Sequence, residues 1–169
     1  MTGHGTSRPT PAGIVRLPAR GPAGDAAWAR PAFLGVTLLA AFVYLWNLTI
    51  SGFANDYYAM AAQAGSQSWS AWFFGSLDAS NLITLDKPPL TTMLMGLSVR
   101  LLGLSSLSIL LPQALLGIAT VALLWVVVRR SFGPVAATIA GLVMALTPVA
   151  ALVFGYDNPD ALLTFLLAR

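Results

Sequence analysis

Asp86 and Lys87 stand side by side in Leu85-Asp86-Lys87-Pro88-Pro89-Leu90, a polar island between long apolar segments. Lys87 is the sole lysine of the chain, and the two prolines after it stiffen the backbone. Charges near membrane depth are costly to desolvate and mark sites for polar or charged partners. An ammonium here can hold a phosphate as a point charge or snorkel to lipid head groups. Asp86 can orient Lys87 or neutralise it. A second candidate is Asp56, in Gly52-Phe53-Ala54-Asn55-Asp56-Tyr57-Tyr58. Its carboxylate can serve as general base on an acceptor hydroxyl or amine, or cap the helix that follows. The third island is Asp157-Asn158-Pro159-Asp160, which reads as a helix start with Asn158 as cap and Asp160 facing the helix dipole.

The elements that position these islands are apolar helices. Residues 1–30, rich in Gly, Pro, Ala and Arg, are expected to form a disordered basic leader. Ala32 to Ile50 is long enough to span about 30 Å of hydrocarbon, with Tyr44 and Trp46 placed for an interfacial aromatic belt. Residues 51–107 form an outer loop. In it, Asp56–Ala62 and the cluster Trp69, Trp72, Phe73 and Phe74 predict an amphipathic helix lying on the membrane. Pro88–Leu104 is short and carries Arg100. Ser108–Val128 and Pro134–Phe154 are further spans, joined by the turn Phe132-Gly133-Pro134. A partial helix occupies 159–169, so a fragment of a larger protein is expected.

Charge sets the topology. Arg8, Arg16, Arg20 and Arg30 precede the first span and Arg129-Arg130 closes the second, so both groups belong in the cytoplasm. This works if Pro88–Leu104 lies along the outer interface without crossing. Asp56, Asp78, Asp86, Lys87, Asp157 and Asp160 then share the extracytoplasmic face. The prediction is an all-α, multi-pass protein of the plasma membrane with a cytoplasmic N-terminus.

Composition narrows the chemistry. Only 9% of the 169 residues are charged and 57% are hydrophobic, far from a soluble domain's roughly 25% charged. With no cysteine and a single histidine, His4, in the leader, thiolate and histidine chemistry and metal sites built on them are not expected. The leader arginines lack interleaved aromatics, which speaks against nucleic-acid binding. No glycine-rich phosphate loop or Walker lysine supports nucleotide use.

The ordered set of segments resembles the N-terminal part of multi-spanning GT-C glycosyltransferases that use lipid-phosphate sugars. These are the protein O-mannosyltransferase superfamily (glycosyltransferase family 39) and the aminoarabinose transferases. The matching pieces are Gly52–Ala59, Ser68–Asp78, Asp86-Lys87-Pro88-Pro89-Leu90, Leu101-Leu102-Gly103, Arg129–Gly133 and Asp157–Leu163. The resemblance implies an incomplete GT-C helical bundle. It implies transfer of a sugar from a polyprenyl-phosphate carrier to a protein, lipid or polysaccharide acceptor on the outer face, without a cofactor. Asp56 is then the catalytic base and Lys87 the phosphate ligand. Asp86, Tyr57, Tyr58, Asp157 and Asn158 complete the substrate site. Many relatives carry Asp-Glu where this chain has Asn55-Asp56, so Asp86 or Asp157 stands as an alternative base. The rival readings are a non-catalytic membrane fragment or accessory subunit, and a transporter of lipid-linked sugars. The three clear spans contain no mid-span charge, which disfavours the transporter.

Overall fold

The computed structural model describes residues 26–168, and among them the structure is helical, with one isolated antiparallel bridge between Ser76 and Thr84. Helix α1 (Ala29–Leu45) begins inside the expected leader, with Pro31 in its first turn, where a missing N–H costs nothing. The rest of the leader lies outside the described residues. Val36, Ala40 and Tyr44 are buried at four-residue spacing, while Leu34, Leu38 and Phe42 form an exposed apolar stripe. That second stripe suits lipid, since apolar surface of this extent marks an interaction face. The helix stops at Leu45, short of Ile50, and a run of turns follows, with Asn47 and Gly52 at positive φ. Tyr44 is buried, and its hydroxyl donates to the Met144 carbonyl at 3.0 Å. It is thus a packing residue and not part of an aromatic belt, whereas Trp46 is exposed.

The expected surface helix is two helices. α2 (Asp56–Gln67) and α3 (Trp69–Phe74) break at Ser68, whose Oγ accepts from the Ala71 N–H at 3.3 Å. Trp69, Phe73 and Phe74 stay exposed, and Ala71 is buried. α4 (Leu90–Leu102) is about 20 Å long at 1.5 Å per residue, too short for the hydrocarbon core. It packs on α2 through small residues: a Cβ on Gly96 would meet Trp72 at 3.2 Å and the Ala62 carbonyl at 3.3 Å. The Trp72 indole N–H donates to the Met93 carbonyl, and Arg100 donates to the Gly65 carbonyl while stacking on Trp69 at 3.6 Å. Arg100, unusual in an apolar helix, thereby ties α2, α3 and α4 into one unit.

α5 (Ser106–Leu146) opens with a reciprocal Ser105/Ser108 capping box. It is long and apolar enough to cross a membrane, but it is not one rod. Gly133, at φ 82°, leaves the helical region, and the chain turns back there. The Trp125 indole donates to Thr138 Oγ1 at 3.3 Å across the turn. Further along, Gly117 meets Phe154 and Gly141 faces both Val36 and Trp125. The two arms, 106–132 and 134–146, are therefore a helical hairpin with α1 packed on it, as the Phe132-Gly133-Pro134 turn predicts. The returning arm does not run unbroken to Phe154. Pro148 forces Thr147 into extended backbone, and α6 (Pro148–Phe154) starts anew. α7 (Asp160–Leu167) follows.

Candidate functional site

Two of the three polar islands meet through hydrogen bonds, and the third, at Asp86, lies within electrostatic reach of them. Ala54-Asn55 leads into α2, Leu85–Pro89 leads into α4, and Tyr156–Pro159 joins α6 to α7. Asn55, not Asp56, caps α2: its Oδ1 accepts from the Tyr57 N–H at 3.1 Å. Asp56 occupies the first helical position, where the helix dipole favours a carboxylate and its side chain is not used as the cap. Tyr57 and Tyr58 pack edge to face, with ring centroids 5.4 Å apart.

Asp157 is fully buried. Its Oδ1 accepts from the Asn55 backbone N–H at 2.6 Å, while Oδ2 has no protein partner among the described residues. Burial pushes its carboxyl up to about 7; the N–H groups of Asn55 and of Asp157 itself oppose this, and the like charge of Asp56 adds to it. Next to it, the Tyr156 hydroxyl donates to the Ala54 carbonyl at 3.0 Å. Asn158 closes the turn into α7, its Oδ1 accepting from the N–H of Asp160 at 2.9 Å and of Ala161 at 3.3 Å. The capping role read from its position is thus the one the structure shows.

Tyr58, packed partly buried against the core, feels charge from all of these segments. Its hydroxyl is raised above the ordinary phenol range first by burial and then by the charges of Asp86, Tyr57, Asp160 and Asp157. Carboxylates from the α4 approach and the α6–α7 loop therefore share one electrostatic neighbourhood with the start of α2.

Lys87 sits on a braced loop. The 75–85 segment closes on itself through Leu85 N–H to the Gly75 carbonyl at 2.9 Å and Leu77 N–H to the Ile83 carbonyl at 2.8 Å. Asp78 staples its tip, accepting from the N–H groups of Ser80, Leu82 and Ile83. Its role there is structural. Gly75, at φ 63°, lies so close to Pro89 that a Cβ would come within 2.8 Å of the proline ring. The chain leaves this base at Asp86-Lys87. The Lys87 ammonium is 3.8 Å from the Asp86 carboxylate, with the two side chains 50% and 67% exposed. At that distance the pair is a loose, solvent-screened ion pair worth little. Among the described residues, no group of three His, Asp or Glu side chains is arranged to hold a metal ion.

Sequence reasoning missed three contributors: the Asn55 N–H, Tyr156 and Gly75. Gly75 carries a weak signal as a glycine ending an aromatic helix. The other two act across 102 residues of sequence and leave no local mark.

Residues 86–169, from the Asp86-Lys87 island onward, match the family model described as dolichyl-phosphate-mannose-protein mannosyltransferase. Two curated proteins of Bacillus subtilis (strain 168) are similar over most of this chain. "Putative mannosyltransferase YkcB" is 39% identical over 132 residues, covering 78% of this chain and 18% of that protein. "Putative mannosyltransferase YycA" is 38% identical over 136 residues, covering 80% of this chain and 20% of that protein. No solved structure matches. The chain spans about a fifth of the length of these relatives. Through residues 86–169 the chain belongs to the dolichyl-phosphate-mannose-protein mannosyltransferase family of membrane-bound glycosyltransferases.

Proposed function

We propose that this chain supplies the donor- and acceptor-activating part of a glycosyltransferase that moves a sugar, mannose by analogy with its relatives, from a polyprenyl-phosphate carrier to an extracytoplasmic acceptor. The observation that carries this reading is that three of the four described arginines lie at the end of the helical bundle away from the carboxylates, Arg100 being engaged instead by Gly65 and Trp69. Arg30 lies in the first turns of α1, near where Phe33 packs on Trp125, and Arg129-Arg130 lies just before the Gly133 turn. The carboxylates gather where Asn55 meets Asp157, beyond the contact of Tyr44 with Met144. Basic residues favour the cytoplasmic side, so the carboxylates and Lys87 face outward, with the N-terminus inside a multi-pass bundle of the bacterial plasma membrane. The short α4 lies along the outer interface.

The chemistry follows from the placement. A polyprenyl tail confines the donor to the bilayer, so its sugar phosphate is met at the interface. Asp56 removes the proton from the acceptor hydroxyl as its oxygen attacks the anomeric carbon. The bond from that carbon to the phosphate oxygen breaks, and the electron pair leaves on polyprenyl phosphate. Lys87 stabilises the charge that develops there, Asp86 orients the ammonium, Tyr57 and Tyr58 line the site, and Asp157 and Asn158 brace it. Attack opposite the leaving group inverts the anomeric centre.

The donor class is tested in membranes holding the protein in its full reading frame. Radiolabel should pass to an acceptor from a polyprenyl-phosphate sugar with no nucleotide sugar present. Transfer from the nucleotide sugar alone, after the lipid carrier is removed, would overturn the reading.

A further inference from the structure

Ala54 holds a backbone conformation that its side chain disfavours. Its φ is +61°, and the Asn55 N–H reaches back to the Phe53 carbonyl at 2.8 Å, the bond of a γ-turn centred on Ala54. Turns of this kind with positive φ are rare and strained, and a left-handed alanine costs about 1 kcal/mol or more. Such geometry persists only where its surroundings over-determine it. Here both neighbours of the strained unit are gripped by one distant dipeptide: the Ala54 carbonyl by the Tyr156 hydroxyl at 3.0 Å, and the Asn55 N–H by Asp157 Oδ1 at 2.6 Å. The next residue is Asp56.

We propose that Tyr156 and Asp157 form a latch that holds the Ala54 turn and so positions Asp56, Asp157 acting through the backbone and not on substrate. The proposal rests on the transferase reading for its consequence and on geometry for the latch itself. Full burial of Asp157 fits a positioning residue better than a base that must reach an acceptor. The charge that acts on it is Asp56 of α2, and Tyr58 of the same helix feels both Asp157 and, from the other islands, Asp86 and Asp160. In this acidic setting a neutral Asp157 serves best, its Oδ1 still accepting from Asn55 while the unpartnered Oδ2 carries the proton.

The test combines amide hydrogen exchange at Asn55 with steady-state transfer, on Asp157→Ala, Asp157→Asn and Tyr156→Phe. Asp157→Asn keeps the Oδ1 acceptor and guards against reading misfolding as function. Loss of the Asp157 bond in Asp157→Ala should speed Asn55 exchange about fivefold to tenfold, the worth of one hydrogen bond. In the same variant kcat should fall about tenfold or more, with the donor KM little changed, as expected for a misplaced catalytic group. Asp157→Asn should hold Asn55 exchange near wild type, and Tyr156→Phe should lie between the two. Unchanged Asn55 exchange in Asp157→Ala would overturn the latch, as would faster exchange with undiminished kcat. Faster Asn55 exchange in Asp157→Ala, beside a wild type that transfers no sugar, would leave the latch standing and overturn the transferase reading.

Discussion

Gly117 lies directly beneath the ring of Phe154, so that a Cβ built on Gly117 would come within 2.5 Å of the ring carbon. This contact brings the outgoing arm of α5 against the end of α6, and with it the loop that carries Tyr156 and Asp157. Phe154 also packs on Tyr44, with ring centroids 5.3 Å apart. The candidate site is therefore anchored by close helix packing below it, through a residue with no side chain.

Gly117→Ala should be destabilising. Overpacking of this kind costs about 1–3 kcal/mol, because the methyl group meets the base of the ring and not a flexible tip. Thermal denaturation in detergent should show a lowered midpoint for Gly117→Ala. Phe154→Leu in the same chain should recover part of the loss. A midpoint equal to wild type would mean that the arms do not pack as described.

Gly75→Ala should act on the Lys87 loop. The substitution places a side chain at φ 63° and against Pro89 at 2.8 Å, a strain of about 1–3 kcal/mol. The expected result is a raised KM for the lipid-phosphate donor with a smaller change in kcat, since the ammonium is moved and not removed. An unchanged donor KM would separate the Gly75 brace from phosphate binding.

Arg100→Ala should loosen the α2–α4 unit. It removes a charge-assisted bond to the Gly65 carbonyl and the stacking on Trp69, together about 2–3 kcal/mol. Arg100→Lys should not restore it, because an ammonium lacks the planar face. Limited proteolysis in the 68–85 segment is the readout, and cleavage should rise in both variants. Resistance equal to wild type in Arg100→Lys would show that charge alone suffices.

Asp157 predicts a pH signature. Its carboxyl is raised from 3.8 to about 7 in the folded protein, so the folded state binds more protons than the unfolded one between those values. Stability from this group is fully present below about pH 4 and is lost as pH rises to about 7. Asp157→Asn cannot ionise. It should match wild type in thermal stability at pH 4 and exceed it at pH 8. A difference between the two proteins that does not vary with pH would contradict the buried, neutral carboxyl.

The sequence made local features legible and left distant ones hidden. Phe132-Gly133-Pro134 announced a turn because glycine reaches positive φ and proline cannot continue a helix. Asn158 announced a cap because its side chain mimics a backbone acceptor. The same logic misassigned α2, where Asn55 and Asp56 are both good caps and only geometry shows that Asn55 took the role. Tyr44 read as an interface residue because its position near a span end is ambiguous until Met144 is brought beside it. The expected span to Phe154 ignored Pro148, whose restriction on Thr147 breaks the helix. The Asn55–Asp157 contact, 102 residues apart, follows only from the packing of α1, α5 and α6.

The central claim is that Asp56 and Lys87 share one extracytoplasmic transfer reaction. The most direct measurement follows radiolabelled sugar from polyprenyl phosphate to acceptor in membranes containing wild type, Lys87→Ala or Asp56→Asn at matched expression. The account predicts transfer in wild type and a loss of about a hundredfold or more in each variant, the scale of a removed general base or charge-stabilising group. Undiminished transfer in both variants would contradict it.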